Sequence, residues 1–330
     1  MDSEKFSAAE IGGHSAGLGY GQTTPTDDPA RQEIIAGLTA PQAFASSKYF
    51  YDARGSRLFE MITALPEYYL TRTERAIFTE HAQAIAAATG TGGTLIDLGA
   101  GNCGKARNLF PTLRPAQYVA VDISVDFLRR ALNRLQPAFP DIEMLAVGAD
   151  LHPAPLLPDA VRPQRRLFFY PGSSIGNFTP DAAQLFLTGI RGQCGDDGGL
   201  LIGVDLIKPE PVLNAAYNDA SGVTAAFNLN LLRNLNRIIG GNFATADWKH
   251  RAFFNAALAR IEMHLEARHA ARVKWPGGSR RFAAGETLHT ENSYKYTLEG
   301  FGQLLKHAGF GRTRIWTDDR QWLAVCHATA

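Results

Sequence analysis

The stretch IDLGAGNCGKARNLF, residues 96–110, decides how this chain folds. Its apolar start reads as a buried strand and its end as a helix, and between them Gly99, Gly101 and Gly104 fit the spacing G-x-G-x-x-G. Glycines at such a turn let the backbone approach a ligand closely, and the helix start that follows favours negative charge. Asp97 stands directly before the turn. Further on, Asp122 follows Gly101 by 21 residues at the end of a second strand, QYVAVDIS (117–124). A carboxylate there can accept both hydroxyls of a ribose.

Outward from this turn, strand and helix patterns alternate as in a parallel α/β sheet. The strands are TLIDLG (94–99), QYVAVDIS, IEMLAVGADL (142–151), RRLFFYPGSS (165–174) and GGLLIGVDLI (198–207). Between them lie helical runs, KARNLFPTL (105–113), VDFLRRALNRLQPAF (125–139) and TPDAAQLFLTGIRGQC (179–194). TRIWTDDRQWLAVCHA (313–328) predicts a terminal hairpin, joined to what precedes it by an amphipathic helix over 297–310. From Lys208 to about Ala283 the rhythm changes to long helices (PVLNAAYND, VTAAFNLNLLRNLNRIIG) followed by strand-like runs, which reads as an insertion. Before the sheet, residues 31–90 are helical with breaks, and the run from Thr71 or Thr73 to Gly90 reads as one helix. Residues 1–30, rich in Gly, Ser, Thr and Asp, are expected to be a flexible tail.

The chain has 330 residues, with 33 Lys+Arg against 32 Asp+Glu. That balance points away from nucleic acid as a partner. Cys103, Cys194 and Cys326 are scattered without metal-type spacing, so no metal and a reducing, cytoplasmic setting are expected. No segment approaches the roughly 18 consecutive apolar residues of a membrane span, and the start of the chain lacks the pattern of a signal peptide.

The glycine turn alone does not separate NAD from S-adenosylmethionine. Three features lean toward the methyl donor: Asp97 in a D-x-G-x-G arrangement, Asp150 in GADL where it can meet an adenine amino group, and the terminal hairpin after five parallel strands. A hydride-transferring NAD enzyme and a non-catalytic cofactor-binding module remain the alternatives from other classes. One further stretch, LHTENSYKY (288–296), is too polar for a core strand. Plain alternation puts His289, Glu291, Ser293 and Lys295 on one side, either as a solvated edge or as a polar wall of a pocket.

Adding KYFYDARGSRLFEMITALPEYYLTRTE (48–74), YPGSSIGNF (170–178), YND (217–219), RIEMHL (260–265) and HTENSYKY (289–296) to the glycine turn, the chain resembles the ergothioneine-pathway L-histidine Nα-methyltransferases from about residue 45 onward. The resemblance implies a Rossmann-like class I methyltransferase sheet with a C-terminal antiparallel hairpin (73–207 and 295–330). It also implies a second, α+β substrate-binding domain made from the N-terminal segment (31–72) and the insertion (208–294). It implies trimethylation of the α-amine of L-histidine to hercynine, with methylation of another aromatic amino acid or an indole as the alternative; a monomer is expected. In such a site Asn177 and Tyr217 would hold the substrate carboxylate, Glu291 and Ser293 the imidazole, and Met263 would touch the ring. Tyr51 and Tyr68 would line the amine and ring pocket. Gly99, Lys105, Asp122 and Asp150 would hold the cofactor, with Gly101 and Asp97 at the turn itself.

Overall fold

The computed structural model describes residues 28–151 and 154–330. Most of the expected tail lies outside the described residues, but its boundary moves. Helix α1 (Pro29–Thr39) starts at Pro29, with the Asp28 side chain accepting from Ala30 N. Helix α2 (Ala53–Thr63) is capped in the same way by Asp52. The run expected as one helix is two, α3 (Tyr69–Glu80) and α4 (Ala82–Thr89), broken at His81.

Strand β1 (Thr94–Leu98) then enters the glycine turn. The helix expected over 105–113 is likewise two single turns, α5 (Gly104–Arg107) and α6 (Phe110–Leu113), the second holding Pro111 in its first turn, where the missing N–H is no loss. Next come β2 (Gln117–Asp122), α7 (Val125–Leu135), β3 (Glu143–Gly148), β4 (Arg166–Tyr170), α8 (Pro180–Gln193) and β5 (Gly199–Asp205). The insertion contributes α9 (Glu210–Tyr217), α10 (Val223–Ile239), β6 (Trp248–Asn255), β7 (Arg260–Ala267), β8 (Ala271–Trp275), β9 (Gly278–Phe282) and β10 (Thr287–Tyr294). The chain ends with α11 (Leu298–His307) and the hairpin β11 (Thr313–Thr317) and β12 (Leu323–Thr329).

The large sheet has seven strands in the order β11-β12-β5-β4-β1-β2-β3. β1 to β5 are parallel, and β12 runs antiparallel between β5 and β11. Strand order reverses between β1 and β4, so the glycine turn sits at the topological switch point, where open α/β sheets bind ligands. Period-two alternation sends Ile96, Val119, Phe168 and Ile202 into one core layer with Phe186 and Leu305. Leu95, Tyr118, Phe169 and Leu201 enter the opposite layer with Ile77 and Ile85.

A second sheet, β10-β7-β6, belongs to the insertion, and the N-terminal segment is tied to it. Phe44 bridges to His289, Asn234 donates to the Tyr49 carbonyl at 2.7 Å, and the Phe50 and Phe227 rings stack at 4.5 Å. β10 departs from plain alternation. His289 pairs with His264 but Glu291 pairs with Met263, so Thr290 is an extra residue in the strand. The bulge puts His289 on the face of His264, whose ring it stacks on at 4.6 Å. Glu291 and Ser293 keep the opposite face, so His289 is not part of their row.

Candidate active site

At the switch point the backbone makes an open cradle. Gly99 and Gly101 have φ of 70° and 52°, and a Cβ added at Gly99 would meet only the Leu151 side chain, at 3.7 Å. Asp122 is fixed beside it, accepting from Gly101 N at 3.2 Å and from Ser124 N at 3.1 Å. The open turn and the pinned carboxylate suit the ribose of a nucleoside-bearing methyl donor. Asp97 is buried under the turn and accepts from the Tyr118 hydroxyl at 2.7 Å. Burial pushes its carboxyl up to about 7, against the Tyr118 hydrogen bond and the Lys105 charge. Lys105 pairs with Glu74, at 2.7 Å. Asp150 accepts from Lys48 at 3.0 Å, and Lys48 also pairs with Glu33 at 2.7 Å.

Beside the cradle, Tyr51, Tyr68, Asn177, Tyr217, Met263, Glu291 and Ser293 line one cavity, together with Gly172, Phe59 and Phe227. They come from six places in the chain. Tyr51 follows the 3₁₀ turn Ser47–Phe50, Tyr68 precedes α3, Asn177 closes the turn Ser174–Asn177, and Tyr217 ends α9. Met263 lies on β7, and Glu291 and Ser293 on β10. Aromatic rings meet edge to face around the cavity, Tyr68 with Tyr217 at 6.5 Å and Tyr51 with Phe227 at 5.8 Å.

Burial sets the electrostatics of the cavity. Burial pushes the Glu291 carboxyl up to about 7, with Lys295 pulling the other way. Burial also holds the Tyr68 and Tyr217 hydroxyls well above the ordinary phenol value. Tyr51 moves in the same direction, from burial and then the Glu291 charge, although 38% of its surface is open. All three stay protonated at neutral pH. The Tyr217 and Ser293 hydroxyls lie 2.8 Å apart, within hydrogen-bond distance of each other.

Of four charged groups behind the cavity, Asp205 and Lys208 carry no motif, and Glu74 and Lys295 stand in quoted blocks without a role assigned from sequence. Glu74, 2% exposed, joins the two halves of the site: one oxygen accepts from Gly172 N and the other from Lys105. Asp205, at the end of β5, is fully buried between Lys208 and Lys295 and also accepts from the Tyr69 hydroxyl at 2.8 and 2.7 Å. Burial pushes the Asp205 carboxyl up, but the two ammonium groups outweigh it and hold it below its usual value. Lys295 donates to Asp205 at 2.8 Å, Ser293 Oγ at 2.8 Å and the Tyr217 hydroxyl at 3.2 Å.

Away from the cavity, on the other face of β7 and β10, Glu262, His264 and His289 bring metal-type ligand atoms within 4.8 Å of one another. The Glu262 carboxylate there already accepts from Arg260, at 2.8 and 2.7 Å, and from Asn255 at 2.9 Å. The two imidazole rings stack 16° from parallel, so their in-plane lone pairs do not converge. Among the described residues, no helix is long and apolar enough to cross a membrane.

Comparison with known proteins adds the chemistry. The model of a family described as S-adenosylmethionine-dependent histidine-specific methyltransferases matches residues 30–330. A protein of Mycolicibacterium smegmatis named histidine N-alpha-methyltransferase is 40% identical over 87% of this chain and 91% of its own length. Its namesake in Mycobacterium tuberculosis is 37% identical over 88% and 91%. The ergothioneine biosynthesis protein 1 of Neurospora crassa is 33% identical over 81% of this chain, which spans 31% of that longer protein.

Proposed function

The chain belongs to the S-adenosylmethionine-dependent histidine-specific methyltransferases, and from that footing we propose that it methylates the α-amine of L-histidine three times, giving hercynine in ergothioneine biosynthesis. Family membership makes it a methyltransferase and removes the hydride-transfer alternative. The observation that supports the substrate is the row of Glu291 and Ser293 on one face of β10, in a cavity they share with the aromatic rings of Tyr51, Phe59, Tyr68, Tyr217 and Phe227. A carboxylate beside a hydroxyl matches an imidazole, which has one donor and one acceptor nitrogen when neutral. An indole, with a donor and no acceptor, leaves one of the two unpaired.

In this reading residues 31–72 and 208–294 form the substrate-binding domain and residues 73–207 and 295–330 the methyltransferase domain, in a cytoplasmic monomer. Gly99, Gly101 and Asp122 hold the donor's nucleoside. Asp97 and Lys105 lie on the side of its amino acid end, and Asp150 with Lys48 lies at the end of β3, toward the adenine. Asn177 and Tyr217 hold the substrate carboxylate, Met263 packs on the ring, and Tyr51 and Tyr68 face the amine.

Bound S-adenosylmethionine supplies a methyl carbon on a cationic sulfur that a nitrogen lone pair displaces in line. The protein has to present that lone pair. A histidine ammonium must lose one proton before each of three N–C bonds forms, and each transfer breaks one C–S bond. Tyr51 and Tyr68, kept as neutral hydroxyls, orient the amine through oxygen lone pairs without fixing it as an ammonium, as a carboxylate would. Their rings also suit the permanent cation of the product. Holding amine and methyl carbon in line lowers the barrier by up to about 7–11 kcal/mol in favourable model systems.

Purified protein given a labelled methyl donor and a panel of free amino acids tests the proposal. Label should pass to L-histidine above all others. Turnover of another amino acid with histidine left untouched would overturn it.

A further inference from the structure

Glu74 lies one turn before the core residue Ile77, on the buried face of α3, and is 2% exposed. Its carboxylate accepts from Gly172 N at 2.5 Å and from Lys105 Nζ at 2.7 Å. Two glycines make room for the pair. A Cβ at Gly203, inside β5, would collide with Glu74 Oε1, and one at Gly172, whose φ is 82°, would lie 2.8 Å from Lys105 Nζ. A glycine inside a strand weakens it and marks a close approach. A buried ion pair, moreover, is seldom better for stability than apolar residues of the same volume. Stability alone therefore does not account for Glu74. Its partner Lys105 is the second residue of α5, directly after the glycine turn. The Lys105 charge acts on Asp97 beneath that turn, and Gly172, beside which Nζ lies, lines the substrate cavity. Glu74 takes one of the three ammonium protons, and among the described residues no other partner takes the remaining two. S-adenosylmethionine carries a single carboxylate, at its amino acid end, which those two protons suit.

We propose that Glu74 is a positioning residue for the methyl donor: pinned by the Gly172 N–H, it holds the Lys105 ammonium where it meets the donor's carboxylate, so that donor binding need not order a loose lysine. The inference rests on the reading that Lys105 lies at the donor's amino acid end and deepens it, since it names the group that aims Lys105. Two effects of Glu74 oppose each other. Its charge repels the donor's carboxylate, while its hold on Lys105, a flexible four-carbon stem, removes an ordering cost from binding. The hold prevails. The Glu74 charge is largely offset by the ammonium in contact with it, whereas ordering one such side chain is worth a factor of roughly 2–12 in affinity.

The test compares, by calorimetry on the full chain, the Kd of S-adenosylhomocysteine with that of its decarboxylated analogue, S-adenosyl-3-thiopropylamine. Wild type should bind S-adenosylhomocysteine tighter by about tenfold or more, as a hydrogen bond between charged groups warrants, and Lys105→Met should remove most of that preference. Glu74→Gln should lower the preference by roughly 2–12-fold, through weaker binding of S-adenosylhomocysteine, with the Kd of the analogue unchanged. That unchanged Kd also shows that the variant folds. Gly203→Ala, which displaces Glu74 by its Cβ, is the second variant and should shift the preference in the same direction. In a Lys105→Met background, Glu74→Gln should leave the preference where it is, since no ammonium is left to hold. Tighter binding of S-adenosylhomocysteine to Glu74→Gln overturns the proposal, as does an equal loss for both ligands or the same loss with Lys105 already replaced. Should wild type show no preference for the carboxylate, or Lys105→Met keep it whole, the placement of Lys105 at the donor's amino acid end fails and takes this inference with it. A preference that falls in Lys105→Met and stands in Glu74→Gln overturns this inference alone.

Discussion

Replacing Glu291 by Gln should make the unliganded protein more stable and the enzyme worse. Burial holds the Glu291 carboxyl at about 7, against a reference value of 4.5. The fold therefore accommodates the protonated form. The associated stability is fully present below the unfolded value and is lost as the pH rises through 7. One pH unit of displacement is worth about 1.4 kcal/mol, so ionising Glu291 costs on the order of 3 kcal/mol at pH 8. A glutamine has nothing to ionise. Glu291→Gln should thus exceed wild type by up to ~3 kcal/mol at pH 8 and by only about 1 kcal/mol at pH 5.5, where the folded carboxyl is protonated. Urea unfolding of the ligand-free proteins at the two pH values measures this directly. The same substitution removes a charge-assisted hydrogen bond to the imidazole, worth about 1.5–3 kcal/mol, so KM for histidine should rise by roughly 10–150-fold with KM for the methyl donor nearly unchanged. A variant less stable than wild type at pH 8, a stability gap independent of pH, or equal rises in both KM values would refute the reasoning.

Asp122→Asn should mirror this on the donor side, raising the S-adenosylhomocysteine Kd by about tenfold with histidine KM little changed, as calorimetry and kinetics will show. Asp205→Ala leaves Lys208 and Lys295 buried without their counter-ion, and chemical denaturation should show a loss of about 3–5 kcal/mol. Gly203→Ala would place a Cβ 2.1 Å from Glu74 Oε1, so Glu74 must leave Gly172. It should cost about 1–3 kcal/mol of stability and lower kcat/KM, because Glu74 also holds Lys105.

The glycine turn, Asp122 and the rhythm of five strands were legible because each is a local pattern, and β1 to β5 follow it closely. The breaks at His81 and between Arg107 and Phe110 were not, since the apolar spacing runs through both places. Nor was the bulge at Thr290, which moves His289 to the other face through pairing with a strand some 25 residues away. Within the cavity, Tyr51, Tyr68, Asn177, Tyr217 and Met263 were named through family blocks, and Glu291 and Ser293 through alternation as well. Phe227 was missed because one aromatic in VTAAFNLNLL looks like any core residue. Asp205 and Lys208 fall in no motif, and Glu74 and Lys295, though inside quoted blocks, give no local sign of their buried partners. Asp205 meets Tyr69 across 136 residues, so only the folded chain shows that a buried charge has its partners.

The most direct measurement is the proton and carbon NMR spectrum of the product formed from L-histidine with a methyl donor labelled at its methyl carbon. Three equivalent labelled methyl groups on the α-nitrogen, with both ring nitrogens unmodified, is the result predicted here. Label on a ring nitrogen, a product that stops at one methyl under excess donor, or no transfer to histidine at all would contradict it.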